Sequence, residues 1–345
     1  MGIPRTTTGI APSPDTDEAA VAVTGRIDVL DGWRAVSILL VLAGHWLPLG
    51  PARFGINGAT AASGMALFFI LSGFLIARAL LHDDRVAAFL IRRFFRIVPL
   101  AWAAMLILFV ATSNDGRTLA ANLLFYANLP PSHLMAGGEH LWSLCVEAQF
   151  YVGVAGLVAI GGRRGMYLLP LIGLAVTVAR IVAGEPLSIV TWHRVDEILA
   201  GASLALLLAH GRADAVLARL PSWTILILAP LLLASGSPTA GFLPYLRPYI
   251  AATLVGVSIF SAPRFVHAIL CSAPARYVAT ISYAVYVLHG MLAATWLGSG
   301  DKLVKYAKRP LLLAITVLLA HWSTFRFEGP MIDRGKALSR RLYRR

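Results

Sequence analysis

Long apolar segments alternate with short polar ones along most of the chain. Six of these segments contain no Asp, Glu, Lys or Arg, and four others are shorter or interrupted by charge. A helix needs about 20 apolar residues to cross the hydrocarbon core of a bilayer. The pattern therefore predicts an all-α, polytopic membrane protein with about ten transmembrane helices, near residues 30–49, 61–81, 97–112, 141–160, 166–183, 192–210, 221–236, 246–262, 277–297 and 310–326.

The two ends of the chain differ from this pattern. Residues 1–25 are rich in Thr, Pro, Asp and Ala and have no apolar run beside a basic start. They predict a disordered cytoplasmic tail without a cleavable signal peptide. Residues 26–330 form the predicted membrane domain, and residues 331–345 a basic cytoplasmic tail.

Composition supports a membrane protein and excludes two other classes. The 345 residues are 58% hydrophobic and 14% charged, against about 25% charged in an average soluble domain. The net charge is +13, but the basic residues lie between apolar runs rather than in a basic domain. This distribution argues against a nucleic-acid partner. Two cysteines in or beside apolar segments do not make a disulfide scaffold.

The distribution of basic residues predicts an orientation in the cell membrane. With the N-terminus in the cytoplasm, cytoplasmic segments hold 20 Lys and Arg and outside segments hold 9, leaving Arg5 aside. This bias follows the positive-inside rule and places both termini in the cytoplasm. The cluster of Lys302, Lys305, Lys308 and Arg309 on the outside is an exception.

Ionisable residues inside predicted spans are candidates for function, because they are costly in lipid unless paired or facing a cavity. Arg34 and His45 are eleven residues apart in the first span. They would share one helix face, about 16 Å apart along the axis. His45 would be a general base near the outer end. Alternatively, a neighbouring helix satisfies this histidine for structural reasons alone.

Two further groups flank later spans. Arg93 and Arg96 share a helical face and suit a phosphate-rich ligand, although they also fit the simple basic flank of a span. Glu147 would lie as deep as His45 and could assist it. Trp192 and Asp196 suit sugar recognition at the outer mouth, or equally an interfacial aromatic belt with a local ion pair.

Six short motifs in chain order resemble those of one family, the acyltransferase-3 type integral-membrane O-acyltransferases, over roughly residues 28–330. They are LDGWR at 30–34 with His45, LFFILSGFLI at 67–76, RRFFRIVP at 92–99, LWSLCVE at 141–147, ISYAVYVLH at 281–289 and FEGP at 327–330. The sequence departs from the family pattern at Trp33, Cys145 and Ala148.

The resemblance implies about ten helices and transfer of an acyl group, acetyl first, from acyl-CoA to a hydroxyl, without a metal. It implies that His45 and Glu147 are catalytic and that Arg34, Arg93 and Arg96 bind acyl-CoA. We further expect Ser72 to bind acyl-CoA, and Trp142, Trp192 and Asp196 to bind the acceptor. The acceptor would be an envelope glycan or glycolipid, or a macrolide-type natural product. The alternative is a secondary transporter or flippase, which would bind no acyl-CoA.

Overall fold

The computed structural model describes residues 27–211 and 214–343. Within these ranges the chain forms helices and no strand, which confirms the all-α prediction. The predicted disordered tail at 1–25 lies outside the described residues. The α-helices are α1 (Asp28–Trp46), α2 (Ile56–His82), α3 (Val86–Ala111), α4 (Gly116–Leu123), α5 (Trp142–Gly165), α6 (Leu169–Ala183), α7 (Asp196–Ala209), α8 (Asp214–Leu217), α9 (Thr224–Ser235), α10 (Leu243–Ser261), α11 (Arg264–Leu270), α12 (Ala273–Ala293), α13 (Lys302–Ala307), α14 (Arg309–Trp322) and α15 (Gly329–Arg341).

The long apolar helices make this a multi-pass membrane protein. By length and composition, five helical segments of the described chain could cross a membrane, or six if the pair α11 and α12, bent by 47°, is one span. Each of the ten predicted segments contains a helix, but several of these helices are short, and α9 has only 12 residues. The predicted count of ten spans is therefore not confirmed.

Helix α2 lies at the centre and packs between α1 and α7. Glycines allow the closest approach. A methyl group on Gly73 of α2 would lie 1.8 Å from the carbonyl oxygen of Ile198, and one on Gly201 of α7 would lie 2.0 Å from that of Ile70. Small residues at such crossings are typical of membrane helices, where dispersion contacts drive association.

Helix α1 is held between α2, α10 and α12. Near its start, the Trp33 indole donates a 2.7 Å hydrogen bond to the Ser258 hydroxyl of α10, and Gly32 packs against the backbone of Leu270. Since α1 is one unbroken helix of 19 residues, its two ends present Arg34 and His45 at opposite ends of the bundle. We call these the basic end and the histidine end.

Polar contacts hold the loop between α2 and α3 at the basic end. Between α2 and α3, Asp83 accepts a 2.7 Å hydrogen bond from Arg85 and pairs with Arg92 at 3.3 Å. The hydrogen bond from Arg85 lowers the pKa of Asp83 to about 2. Helix α15 covers much of the predicted C-terminal tail and packs back onto α3, with Gly335 against Phe95.

Candidate functional site

His45 lines a cavity at the histidine end and contacts a second histidine. Its Nδ1 atom lies 3.1 Å from Nε2 of His289, which is on α12 and only 1% exposed. The two rings stack with centroids 5.1 Å apart. His45 itself is exposed. A buried histidine therefore positions one that a substrate can reach.

The hydrogen bonds define the proton positions on both rings. Nδ1 of His289 lies 2.6 Å from the Tyr286 carbonyl oxygen, which can only accept, so this nitrogen carries the proton. If the His289 ring is neutral, its Nε2 atom then accepts from Nδ1 of His45. The Nε2 atom of His45 is left with a free lone pair, which is the form that a general base requires.

The histidine cavity has a volume of about 870 Å³. Three neighbouring histidines, His45, His140 and His289, form part of its polar wall. The ring centroids of His140 and His289 are 4.5 Å apart. Trp142 and Arg194 also line it, as do Glu139 and Tyr286. The cavity size falls within the range of about 300–1,000 Å³ that is typical of small-molecule sites.

A second cavity of about 710 Å³ opens at the basic end. Arg34, Arg78 and Arg96 line it, together with the carboxylates of Asp31 and Glu328. Arg34 pairs with Asp31 at 3.4 Å. Three guanidinium groups around one cavity suit a ligand with several phosphates, because guanidinium binds phosphate oxygens in a bidentate manner.

A narrow void of about 10 Å³ lies between these two cavities. It shares Arg34 and Ser282 with the basic cavity, and Met65 and Tyr286 with the histidine cavity. The three voids therefore follow one another along α1 from Arg34 to His45. We call the middle one the constriction.

Glu147 lies in a polar cluster of its own and is not among the residues that line the histidine cavity. Its carboxylate accepts hydrogen bonds from Ser72 of α2 and Tyr151 of α5. Arg93 lies beside it, with its guanidinium 5.8 Å from the Tyr151 ring centroid. The structure thus brings together Glu147, Ser72 and Arg93, but it places His289 rather than Glu147 beside His45.

The acceptor-binding candidates are separated from one another. Trp142 lines the histidine cavity, with its ring edge against Phe69. Trp192 is 51% exposed and lines neither cavity. Asp196 is 1% exposed, pairs with Arg180, and lines a separate, mainly apolar cavity of about 570 Å³ beside Tyr249.

Four site residues were not predicted as such from sequence: His289, His140, Arg78 and Arg194. His289 ends the motif ISYAVYVLH at 281–289 but has no predicted role, because its partner depends on how α12 rotates against α1. In the part of the chain that the structure describes, no group of three or more His, Cys, Asp or Glu side chains is arranged to hold a metal ion.

Comparison with known proteins tests the motif resemblance independently. The sequence profile of the acyltransferase-3 family, described as an acyltransferase domain, matches residues 27–325. The chain belongs to the acyltransferase-3 family. No solved structure matches it.

Two curated proteins are similar in sequence to parts of this acyltransferase-3 chain. It is 22% identical over 306 residues to the peptidoglycan O-acetyltransferase OatA of Listeria monocytogenes, covering 75% of this chain and 48% of that protein. It is 26% identical over 165 residues to nodulation protein 10 of Rhizobium leguminosarum bv. viciae, covering 40% and 45%. The chain thus spans about half the length of the curated relatives it matches.

Proposed function

We propose that the protein is a membrane O-acyltransferase that moves an acyl group, acetyl first, from acyl-CoA to a hydroxyl of a sugar-containing acceptor. One observation carries the proposal. His45, which lines one cavity and contacts His289 through Nδ1, lies on the same helix as Arg34, which lines a second cavity rich in arginine. The base and the phosphate-binding groups are thus joined by one rigid element.

The donor would lie with its phosphates in the basic cavity. Arg34 and Arg96 are the lining residues expected from the family motifs, and Arg78 adds a third cation. Arg93 would act through the Glu147 cluster beside this cavity. The axial distance from Arg34 to His45 of about 16 Å is of the order that a pantetheine arm spans. The thioester would reach His45 through the constriction.

The acceptor would occupy the histidine cavity. His45 Nε2 removes the proton of the hydroxyl while its oxygen attacks the thioester carbonyl carbon. The new carbon–oxygen bond forms, the carbon–sulfur bond breaks, and the departing thiolate takes the proton from His45. The products are the O-acyl ester and free CoA.

Two further findings support this assignment. Trp142 at the cavity wall offers the aromatic surface on which sugar rings stack. The relative from Listeria is named for O-acetylation of peptidoglycan, a glycan. An envelope glycan or glycolipid is therefore the first acceptor class to test, and a macrolide-type natural product the second. The donor side would be the cytoplasmic face, with both termini there.

The test supplies labelled acetyl-CoA to membranes that contain the wild-type protein, His45→Ala or His193→Ala. Loss of a general base costs about 10²–10⁴ in rate, so His45→Ala should lose almost all label in ester products. His193 lines neither cavity and is the matched control, which should retain transfer. If His45→Ala keeps more than about a tenth of the wild-type rate, His45 is not the base.

The labelled fraction identifies the acceptor class as glycan, lipid or small molecule. No labelled ester, together with no binding of acetyl-CoA by the purified protein, would contradict acyl transfer and favour a transporter.

A further inference from the structure

Five charged side chains form a buried network beside the histidine cavity. Arg180 pairs with Asp196 at 2.5 Å, and Arg247 pairs with Glu197 at 2.6 Å. Arg194 shares Glu197 at the longer distance of 3.4 Å. All five are at most 3% exposed. Three cations and two carboxylates leave one positive charge without a carboxylate of its own.

Arg194 is the member of this network that carries the excess. Its ion pair is the longest of the three, at 3.4 Å against 2.5 and 2.6 Å. Each of the three arginines has one nitrogen without a hydrogen-bond partner among the described residues, so the pair length is what distinguishes Arg194. Its guanidinium lies over the rings of Trp142 and Phe69, with Cζ 5.4 and 5.8 Å from the ring centroids. An uncompensated buried cation is costly, so a structural role alone gives no reason to keep it.

The position of Arg194 offers such a reason. It is the only Lys or Arg among the described residues that line the histidine cavity, where His45 Nε2 is free. The one carboxylate among the described residues that line the cavity, Glu139, is exposed and accepts a 3.1 Å hydrogen bond from the Gly137 amide in its own loop. Arg194 can therefore meet a negative charge that forms inside the cavity.

We propose that Arg194 stabilises the oxyanion that forms when the acceptor hydroxyl adds to the acyl carbonyl. This inference rests on the proposed function. As the carbon–oxygen bond forms, the carbonyl electron pair moves to oxygen while His45 takes the hydroxyl proton. The excess positive charge of Arg194 then faces the full negative charge of the oxyanion. The oxyanion disappears when the carbonyl forms again and the carbon–sulfur bond breaks. Fixed charges that act only during reaction accelerate the chemical step.

Ser143 and Trp192 are weaker candidates for the same role. Ser143 is fully buried, and its hydroxyl lies 2.6 Å from that of Tyr286. Trp192 lines neither cavity. Arg194 combines full charge, burial and a place at the cavity wall.

The network makes the test sharp, because Arg194→Gln leaves two balanced ion pairs. We expect this variant to melt at or above the wild-type temperature in detergent, while His45-dependent label transfer from acetyl-CoA falls about 10²–10³-fold in kcat. The KM for acetyl-CoA should be unchanged, since the basic cavity is intact. Arg194→Lys, which keeps the charge, should recover part of kcat.

Arg247→Gln is the matched control. It removes the same charge from the same network, but Arg247 does not line the cavity. Because Glu197 loses its 2.6 Å partner and the Ser235 carbonyl loses a donor, this variant should melt lower while keeping kcat per folded molecule.

Three outcomes would overturn the inference. One is an Arg194→Gln variant with wild-type kcat, and another is a fall in its melting temperature as large as that of Arg247→Gln. The third is an equal loss of kcat in both variants. These results presuppose that the wild type transfers label in a His45-dependent manner. If it does not, the proposed function fails first, and the melting temperatures still test the excess charge alone.

Discussion

The hydrogen bond from His45 to His289 determines which nitrogen of His45 a substrate meets. Without it, a neutral imidazole carries its proton on either nitrogen and rotates about its side-chain bonds. The series of hydrogen bonds from His45 through His289 ends at the backbone carbonyl of Tyr286, which cannot change its protonation state. Under the proposed function, His289 is a positioning residue that acts on the reaction through His45.

Replacing His289 by Phe tests this positioning role. The ring remains but its acceptor nitrogen is lost, so kcat should fall by roughly 10–100-fold, as for outer-shell partners of metal-bound histidines. The KM for acetyl-CoA should not change, because the basic cavity lies at the other end of α1. His289→Gln keeps an acceptor and should recover part of kcat. A KM that rises as kcat falls in His289→Phe would indicate general structural damage instead.

The relation between Arg34 and His45 could be predicted because both lie on one helix with a known rise and rotation per residue. The neighbours of Glu147 could not be predicted, because they depend on which helices pack together and at what rotation. The structure places Glu147 between α2 and α5, against Ser72 and Tyr151, whereas α12 supplies the partner of His45.

Helices α2 and α7 depend on two glycines for their contact. Helix α2 carries Ser72 and Arg78, and Arg194 lies just before α7. A change in the distance between these helices therefore affects both cavities. The sequence gives no sign of this contact beyond the glycines themselves, since small residues in an apolar helix can face lipid or protein.

Gly73→Ala tests the contact between α2 and α7. Its methyl group would meet the backbone carbonyl of Ile198, which cannot rotate away as a side chain can. Overpacking of this kind costs about 1–3 kcal/mol or more, so the variant should melt lower in detergent and lose label transfer. Gly153→Ala on α5 is the control, since nothing lies within 4 Å of its added methyl. Equal melting temperatures for the two variants would contradict the tight crossing.

Element boundaries were predictable wherever apolar runs end at turn residues and less so where charge enters a helix. The third span was expected from residue 97, yet α3 begins at Val86. Arg92, Arg93 and Arg96 interrupt the apolar pattern without ending the helix, because long basic side chains reach toward a polar end from within it. The phosphate-binding candidates therefore lie on a rigid helix rather than on a loop.

At the scale of the whole molecule, the two cavities lie at opposite ends of the bundle, and the constriction lies between them. Composition and apolar periodicity could predict a membrane protein, and the motif order could predict the family. Neither could predict the arrangement of these voids, because it is a property of how α1, α2 and α12 enclose space. Under the proposed function, this arrangement places donor and acceptor at different ends of the bundle.

Sealed vesicles that hold the protein in one orientation test this separation. Acetyl-CoA does not cross a bilayer, so label should be consumed only when it is supplied at the basic end. The orientation can be read from Thr239→Cys in a Cys271→Ser background, since Thr239 lies exposed in the loop between α9 and α10 at the histidine end and Cys145 is buried. An impermeant maleimide that reaches this cysteine then marks the histidine end as external.

The expected result is transfer only in vesicles whose cysteine lies on the side opposite to acetyl-CoA, with no transfer by His45→Ala in either orientation. The physical reason is that the arginines proposed to bind phosphate, Arg34, Arg78 and Arg96, line the cavity at the basic end alone. Transfer when acetyl-CoA and the reactive cysteine are on the same side would mean that the donor enters through the histidine cavity. The constriction would then not lie on the donor's path, and Arg34, Arg78 and Arg96 would need another role.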